Sequence, residues 1–266
     1  MRSQTSKLWI LCLVVVAGFL STAAQAQQTF RVYAGVAPTT YSIAFSGSAP
    51  TGYSSKTAKS SYTAENVGFS WVLPQRIYFD LSYQKSLSAD HDLWKDSNAA
   101  NGSKQDFSNN AITLTGGYIH VMPSGMSITG FGGFRKSEST LNAPRGATIP
   151  AGTITWSKDI FDSRGVFVGA GLGLPALGGQ FSFSGALAFL GGTWKDDQTF
   201  NSKADYTIGY SLNAGYTYKF TQALGVTADV RYQVYNFGFN QNSTVFAAYD
   251  VTEKIASAGV RLSYQF

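Results

Sequence analysis

The chain holds a single cysteine, Cys12, inside an N-terminal apolar run. Once that run is removed, no disulfide, thiolate nucleophile or cysteine metal site is possible. Charge is also scarce. Only 13% of residues are charged, about half the ~25% of an average soluble domain, so an ordinary wet surface is hard to build. No apolar run reaches the ~20 residues that a membrane-spanning helix needs, and the mean hydropathy of −0.05 excludes a multi-helix membrane protein. Helix-period stretches of useful length are missing as well. A disordered chain is excluded by the 15% aromatic content together with the low charge. What is abundant is glycine, at 28 residues, with tyrosine and phenylalanine.

Residues 1–26 read as a secretory leader. Arg2 and Lys7 open it, Leu8 to Leu20 form its apolar run, and Ala24-Gln25-Ala26 offers a cleavage site before Gln27. Residues 27–266 are then the mature chain. Its formal charge falls from +5 to +3 as Arg2 and Lys7 leave. That balance is too weak and too dispersed for nucleic-acid binding.

Strict alternation runs through the mature chain. Tyr206, Ile208, Tyr210, Leu212, Ala214, Tyr216, Tyr218 and Phe220 occupy one parity, and polar or small residues occupy the other. Similar stripes are Val226/Val230/Val234, Val166/Val168/Leu172, Ile77/Phe79/Leu81/Tyr83, Phe181/Phe183/Leu187/Phe189, Ile112/Leu114/Tyr118, Val67/Phe69/Trp71/Leu73 and Met126/Ile128/Phe134. The first stripe, Phe30 to Val36, changes phase near Pro38 to Tyr41, Ile43 and Phe45, which predicts a bulge. Ten strands result, with eight or twelve as alternatives.

Connections alternate in length. Leu73–Arg76, Met122–Gly125, Pro175–Gly179 and Thr221–Leu224 are tight; 48–61, 88–106, 137–160, 194–204 and 240–250 are long and polar. This predicts an all-β, closed, antiparallel up-and-down transmembrane barrel. A secreted sandwich would place charge on its wet face, whereas the second face here is mostly Gly, Ser, Thr and Ala. The chain ends on Val260, Leu262, Tyr264 and Phe266 in one register. This ending resembles the C-terminal assembly signal of Gram-negative outer-membrane barrels. The resemblance implies an outer-membrane location, both chain ends in the periplasm and long loops outside. It also implies lipid, lipopolysaccharide and the assembly machinery as partners.

With the apolar stripe toward lipid, the other parity lines the lumen. From 111 to 188 that lining is small. Elsewhere it carries Arg31, Arg76, Asp80, Asp229, Arg231 and Arg261, with Tyr33, Tyr78 and Tyr235. Two readings stand. The charges pair and seal a narrow structural barrel, or the small wall leaves an anion-favouring pore bordered by arginines. A third lets loops 88–106 and 137–160 act as an adhesin or ligand-binding surface.

An enzyme reading fits less well. Ten strands resemble the omptin proteases, whose outer loops pair two carboxylates with a His–Asp couple. Asp90-His91-Asp92 supplies a D-x-D pair, but Asp196-Asp197 has no histidine beside it. Lipid-modifying barrels place His and Ser on one wall; His120 and Ser124 lie at a tight turn and read as girdle and turn residues. No catalytic residue, cofactor or metal site is expected. The leader makes a direct prediction: the protein isolated from outer membranes starts at Gln27 by N-terminal sequencing or intact mass.

Overall fold

The computed structural model describes residues 28–47, 57–87, 90–91, 105–145, 155–195, 201–239 and 249–266. The leader, and with it Cys12, lies outside these residues. So do the middles of the long connections.

Among the described residues every regular element is a strand: β1 Thr29–Gly47, β2 Thr57–Val72, β3 Ile77–Ser86, β4 Asp90–His91, β5 Gln105–Val121, β6 Ser127–Arg145, β7 Thr155–Ala176, β8 Gly179–Lys195, β9 Asn201–Lys203, β10 Tyr206–Lys219, β11 Leu224–Phe239 and β12 Tyr249–Gln265. Ten of them pair antiparallel with their chain neighbours, and β12 closes on β1. The two short strands only extend the wall, β4 on β5 and β9 on β8.

The register fixes the barrel's shape. Starting at Ser42, successive partners are Lys254, Val234, Tyr210, Leu187, Val168, Gly132, Gly116, Phe79, Trp71 and finally Phe30. The circuit returns to β1 twelve residues below its start, from Ser42 to Phe30. Such a stagger tilts the strands by about 40°. A 19-residue strand such as β1 is then about 63 Å long at ~3.3 Å per residue, and about 48 Å tall after tilting. An apolar band is only ~25 Å tall, so the strands extend well past it.

One end carries the tight turns. Leu177 and Gly178 form a two-residue hairpin with φ of 52° and 75°, the type I′ pattern that suits twisted strands. The chain termini join this end, where the Gln265 amide donates to Ala223 O at 2.7 Å and that of Phe266 to Phe30 O at 2.8 Å.

Near the turns, the outward parity is apolar and the inward parity polar. Val166, Leu212, Val230 and Leu262 are each more than half exposed. Aromatics ring the lower edge: Phe30 stacks on Trp71 at 5.5 Å, Phe181 meets Tyr216 at 4.7 Å, and Tyr264 meets Phe266 at 4.9 Å. Tyr83, Tyr210 and Tyr232 mark the upper edge. A surface of this kind is stable only against hydrocarbon.

Above that belt the two faces exchange character. Lys59, Glu65, Lys85, Lys136, Glu138, Arg164, Lys195 and Lys254 point outward. Inward lie Tyr41, Ile43, Phe107, Leu141, Phe161, Trp194, Phe237, Phe239 and Val251, all nearly inaccessible. Their rings interlock: Phe161 meets Phe237 edge-on at 4.8 Å and Trp194 at 5.6 Å, and Phe239 stacks on Tyr249 at 4.9 Å. The Trp194 indole donates to Asp159 at 3.0 Å. Burial of each such side chain contributes roughly 1.5–3 kcal/mol.

This exchange corrects two expectations. No bulge occurs at Pro38, because β1 keeps one register against both neighbours from end to end. Tyr41 and Ile43 lie on the inward parity, while Val32 to Val36 lie on the outward one. Residues 137–145 and 155–160 are strand rather than loop, paired as far as Arg145 with Thr155. A Phe161→Ala variant is expected to lose about 3–5 kcal/mol, measured as a shifted urea midpoint in lipid vesicles. Val166→Ala on the lipid face opens no internal cavity and costs less.

Candidate functional site

The candidate site is the barrel interior, built in two storeys. The lower storey is polar and lies inside the apolar belt. The Tyr33 hydroxyl donates to both Asp80 oxygens at 3.1 and 3.2 Å. Arg261 pairs with Asp229 at 2.5 Å and rides over the Tyr33 ring, 5.4 Å from its centroid. Arg31 donates through Nε to Ser70 at 3.1 Å. Arg231 is enclosed in the same cluster and feels both Asp229 and Arg261. Thus five of the six expected charges converge, together with Tyr33. Tyr78 faces inward near Asp80.

Arg76 does not join them. It occupies the left-handed position of the turn Leu73–Arg76, with φ of 66°. Its side chain is exposed and donates to Val121 O at 3.3 Å on the turn-end rim. The turn backbone, not the strand parity, sets its direction.

The wall expected to be small is not uniformly so. Phe131, Arg135 and Phe167 project inward from it. Phe131 and Phe167 meet edge-on at 6.4 Å. Each ring lies over a glycine of the adjoining strand: a Cβ on Gly169 would come within 2.5 Å of Phe131, and one on Gly133 within 2.6 Å of Phe167. Tyr33 covers Gly68 in the same way. These glycines house rings, which is a close-approach role.

A cavity of about 420 Å³ remains in the lower storey, bordered by Arg31, Asp80, Asn213, Arg231 and Arg261. Its ceiling is Arg135, Leu190 and Tyr235. Arg135 is 6% exposed and reaches from β6 across the lumen to lie over the Tyr235 ring, 5.9 Å from its centroid. Gln233 donates to the Tyr235 hydroxyl at 2.8 Å.

Above the ceiling sits the aromatic storey, with one polar seam. Asn109 donates to Ser139 at 2.8 Å and accepts from Tyr62 at 3.4 Å. Glu253 is wholly buried here, facing Tyr41, Ser139 and Arg135. Burial pushes its carboxyl above the ordinary range, opposed by Arg135, Tyr41 and Ser139. Arg135 and Glu253 were missed because each falls between an apolar stripe and an expected loop, Arg135 just past Phe134 and Glu253 just before Lys254.

The enzyme candidates stay apart. His120 points outward near its turn, opposite Ile128, and Ser124 caps that turn by accepting from the Met126 amide at 3.4 Å. Asp90 and His91 lie on β4, but their side chains, Asp92 and Asp196-Asp197 fall outside the described residues. Among the described residues no metal-binding cluster occurs.

No protein-family model matches the chain, and no curated protein matches its sequence. Solved structures do match. The outer membrane protease OmpT of Escherichia coli aligns with TM-score 0.58 and 11% identity, over 90% of this chain and 96% of its own. The translocator domain of autotransporter NalP from Neisseria meningitidis gives 0.46 and 11%, over 98% and 96%. The attachment invasion locus protein Ail of Yersinia pestis gives 0.33 and 10%, over 90% and 99%. The alignment with OmpT, together with the closed ladder of ten strands, gives the chain the fold of outer-membrane β-barrel proteins.

Glu253 sets a pH dependence. A carboxyl whose folded value is raised stabilises the fold in acid, and that contribution is lost as pH rises through the raised value. Glu253→Gln should therefore unfold at a higher temperature than wild type near neutral pH. It should also lose less stability as pH rises, read by heat-modifiable gel mobility across a pH series.

Proposed function

We propose that the protein is a closed outer-membrane barrel that works through its raised outer wall and loops rather than as a conduit. The observation that carries this reading is the aromatic storey. Large side chains from eight strands fill the barrel above the belt, and the polar cavity below ends at Arg135, Leu190 and Tyr235. An ion entering from the turn end meets a hydrocarbon seal some strand residues thick, where an unpaired charge is costly.

In this reading the tight turns and chain ends face the periplasm. The belt meets membrane lipid, and Val260, Leu262, Tyr264 and Phe266 display the strand that the assembly machinery recognises. The strands then lift a rigid collar above the membrane. Basic residues Lys59, Lys85, Lys136, Lys158, Arg164, Lys195, Lys203 and Lys254 outnumber acidic ones on its outer face. That face suits lipopolysaccharide phosphates beside the barrel and anionic polysaccharide above it. The chemistry is binding, not catalysis: the D-x-D of Asp90 and Asp92 has no D-x-H partner in the sequence.

Planar-bilayer recording tests the seal. Wild type should give no conductance steps. A Tyr41→Ala/Phe161→Ala/Phe237→Ala variant that still folds should give steps with anion preference. Steps from wild type would overturn the closed reading. Surface binding is tested by deleting residues 146–154 alone, since a cut across 137–160 removes paired strand. Loss of polysaccharide binding by expressing cells, with folding intact, supports the adhesin role; unchanged binding refutes a role for that loop.

A further inference from the structure

The lower cavity holds an imbalance that the closed-barrel reading does not need. Four guanidiniums border it, from Arg31, Arg135, Arg231 and Arg261, against one lining carboxylate, Asp80, with Asp229 standing behind Arg261. Asp229 is engaged by Arg261, and Asp80 by Tyr33. Arg31 rests on Ser70. Arg231 and Arg135 are not hydrogen-bonded to a carboxylate among the described residues. The Arg231 guanidinium makes no hydrogen bond within the described residues; it is half-buried and lines the cavity. Arg135, at the ceiling, is buried with an Nε that finds no acceptor. Glu253 lies beyond the ceiling, near Arg135 and outside the cavity lining.

A guanidinium held inside the barrel without an anionic acceptor is costly. Here two such groups enter one cavity from different walls, Arg231 from β11 and Arg135 from β6, with neutral donors from Asn213, Gln233 and Ser211 on the same lining. The volume of about 420 Å³ accommodates an oxyanion with a few waters. Guanidinium forks match the planar edges of phosphate and carboxylate oxygens.

We propose that this cavity is a binding site for a compact oxyanion, a phosphate or carboxylate group, held between Arg231 and Arg135 and entered from the turn end of the barrel. The site is independent of the seal: a barrel could be closed above and still bind, or leak and not bind.

The test uses the full mature chain refolded in detergent. Inorganic phosphate and malonate are titrated separately by calorimetry, with ionic strength held by sodium chloride. Saturable binding near one anion per barrel is expected for at least one of them, and the stronger of the two identifies the oxyanion class. Arg231→Gln should weaken that binding at least tenfold, whereas His120→Gln, which changes an outward side chain opposite Ile128, should leave it unaltered. Absence of saturable binding by either anion would overturn the proposal and mean a cavity filled by water. Equal binding by wild type and Arg231→Gln would overturn it too, and would place the anion elsewhere on the protein. Should Arg231→Gln fail to fold, wild-type crystals soaked in bromide decide: an anomalous peak beside Arg231 supports the site, and an empty cavity refutes it.

Discussion

Closure of the hydrogen-bond ladder is the constraint on which everything else rests. A closed antiparallel ladder has no edge to expose, so every residue is assigned to the inside or the outside by parity alone. The register shows no slip along β1, even past Pro38. Parity therefore cannot change with height, while the surroundings do. At the belt the outside is hydrocarbon, and the interior holds the polar groups. Above the belt the outside is water, and the apolar residues must go in. Only composition can make that switch, as two strands show: Val36 faces out and Tyr41 faces in on β1; Leu262 faces out and Ile255 faces in on β12.

The seal follows from this switch rather than from ion pairing. Pairing of Arg261 with Asp229 and of Tyr33 with Asp80 consumes charge in the lower storey, yet leaves a cavity. Buried ion pairs contribute little net stability, because desolvation offsets most of their attraction. The aromatic storey has no such offset. Phe161, Trp194 and Phe237 bury their full surfaces against one another. The polar interior thus sits under a lid made by the hydrophobic effect, and Arg135 stands at the boundary with one guanidinium between the Glu253 seam and the open cavity.

What the sequence made legible was the part where the two faces contrast. Ile208 to Phe220 alternates with Thr207 to Lys219, and period-2 reasoning places each correctly. The tight turns and the terminal Phe266 stripe are equally plain. Contrast fails where both faces are polar: Ser137, Glu138 and Ser139 alternate between water and a buried seam, and read as loop. It also misleads where the apolar face moves inward, as at Tyr41, because a change of environment and a change of register leave the same trace in one strand. Only the partner strands separate them. Arg76 had the right parity, but its backbone belongs to a turn.

Small residues on a wall do not by themselves widen a barrel. In this lumen a glycine on one strand is answered by a ring on the next, as Gly68 is by Tyr33, Gly169 by Phe131 and Gly133 by Phe167. The ring occupies the space that the missing side chain vacates, so it lies along the wall instead of pointing at the axis. Each exchange therefore conserves volume locally. Free space survives where rings lie flat and the remaining neighbours are short, as around Ser184, Asn213 and Ser211. It vanishes where Phe161, Phe237 and Trp194 meet one another across the barrel. Lumen width at a given height is thus set by how rings are oriented against neighbouring strands, a property of pairs of strands that counting glycines along one strand does not register.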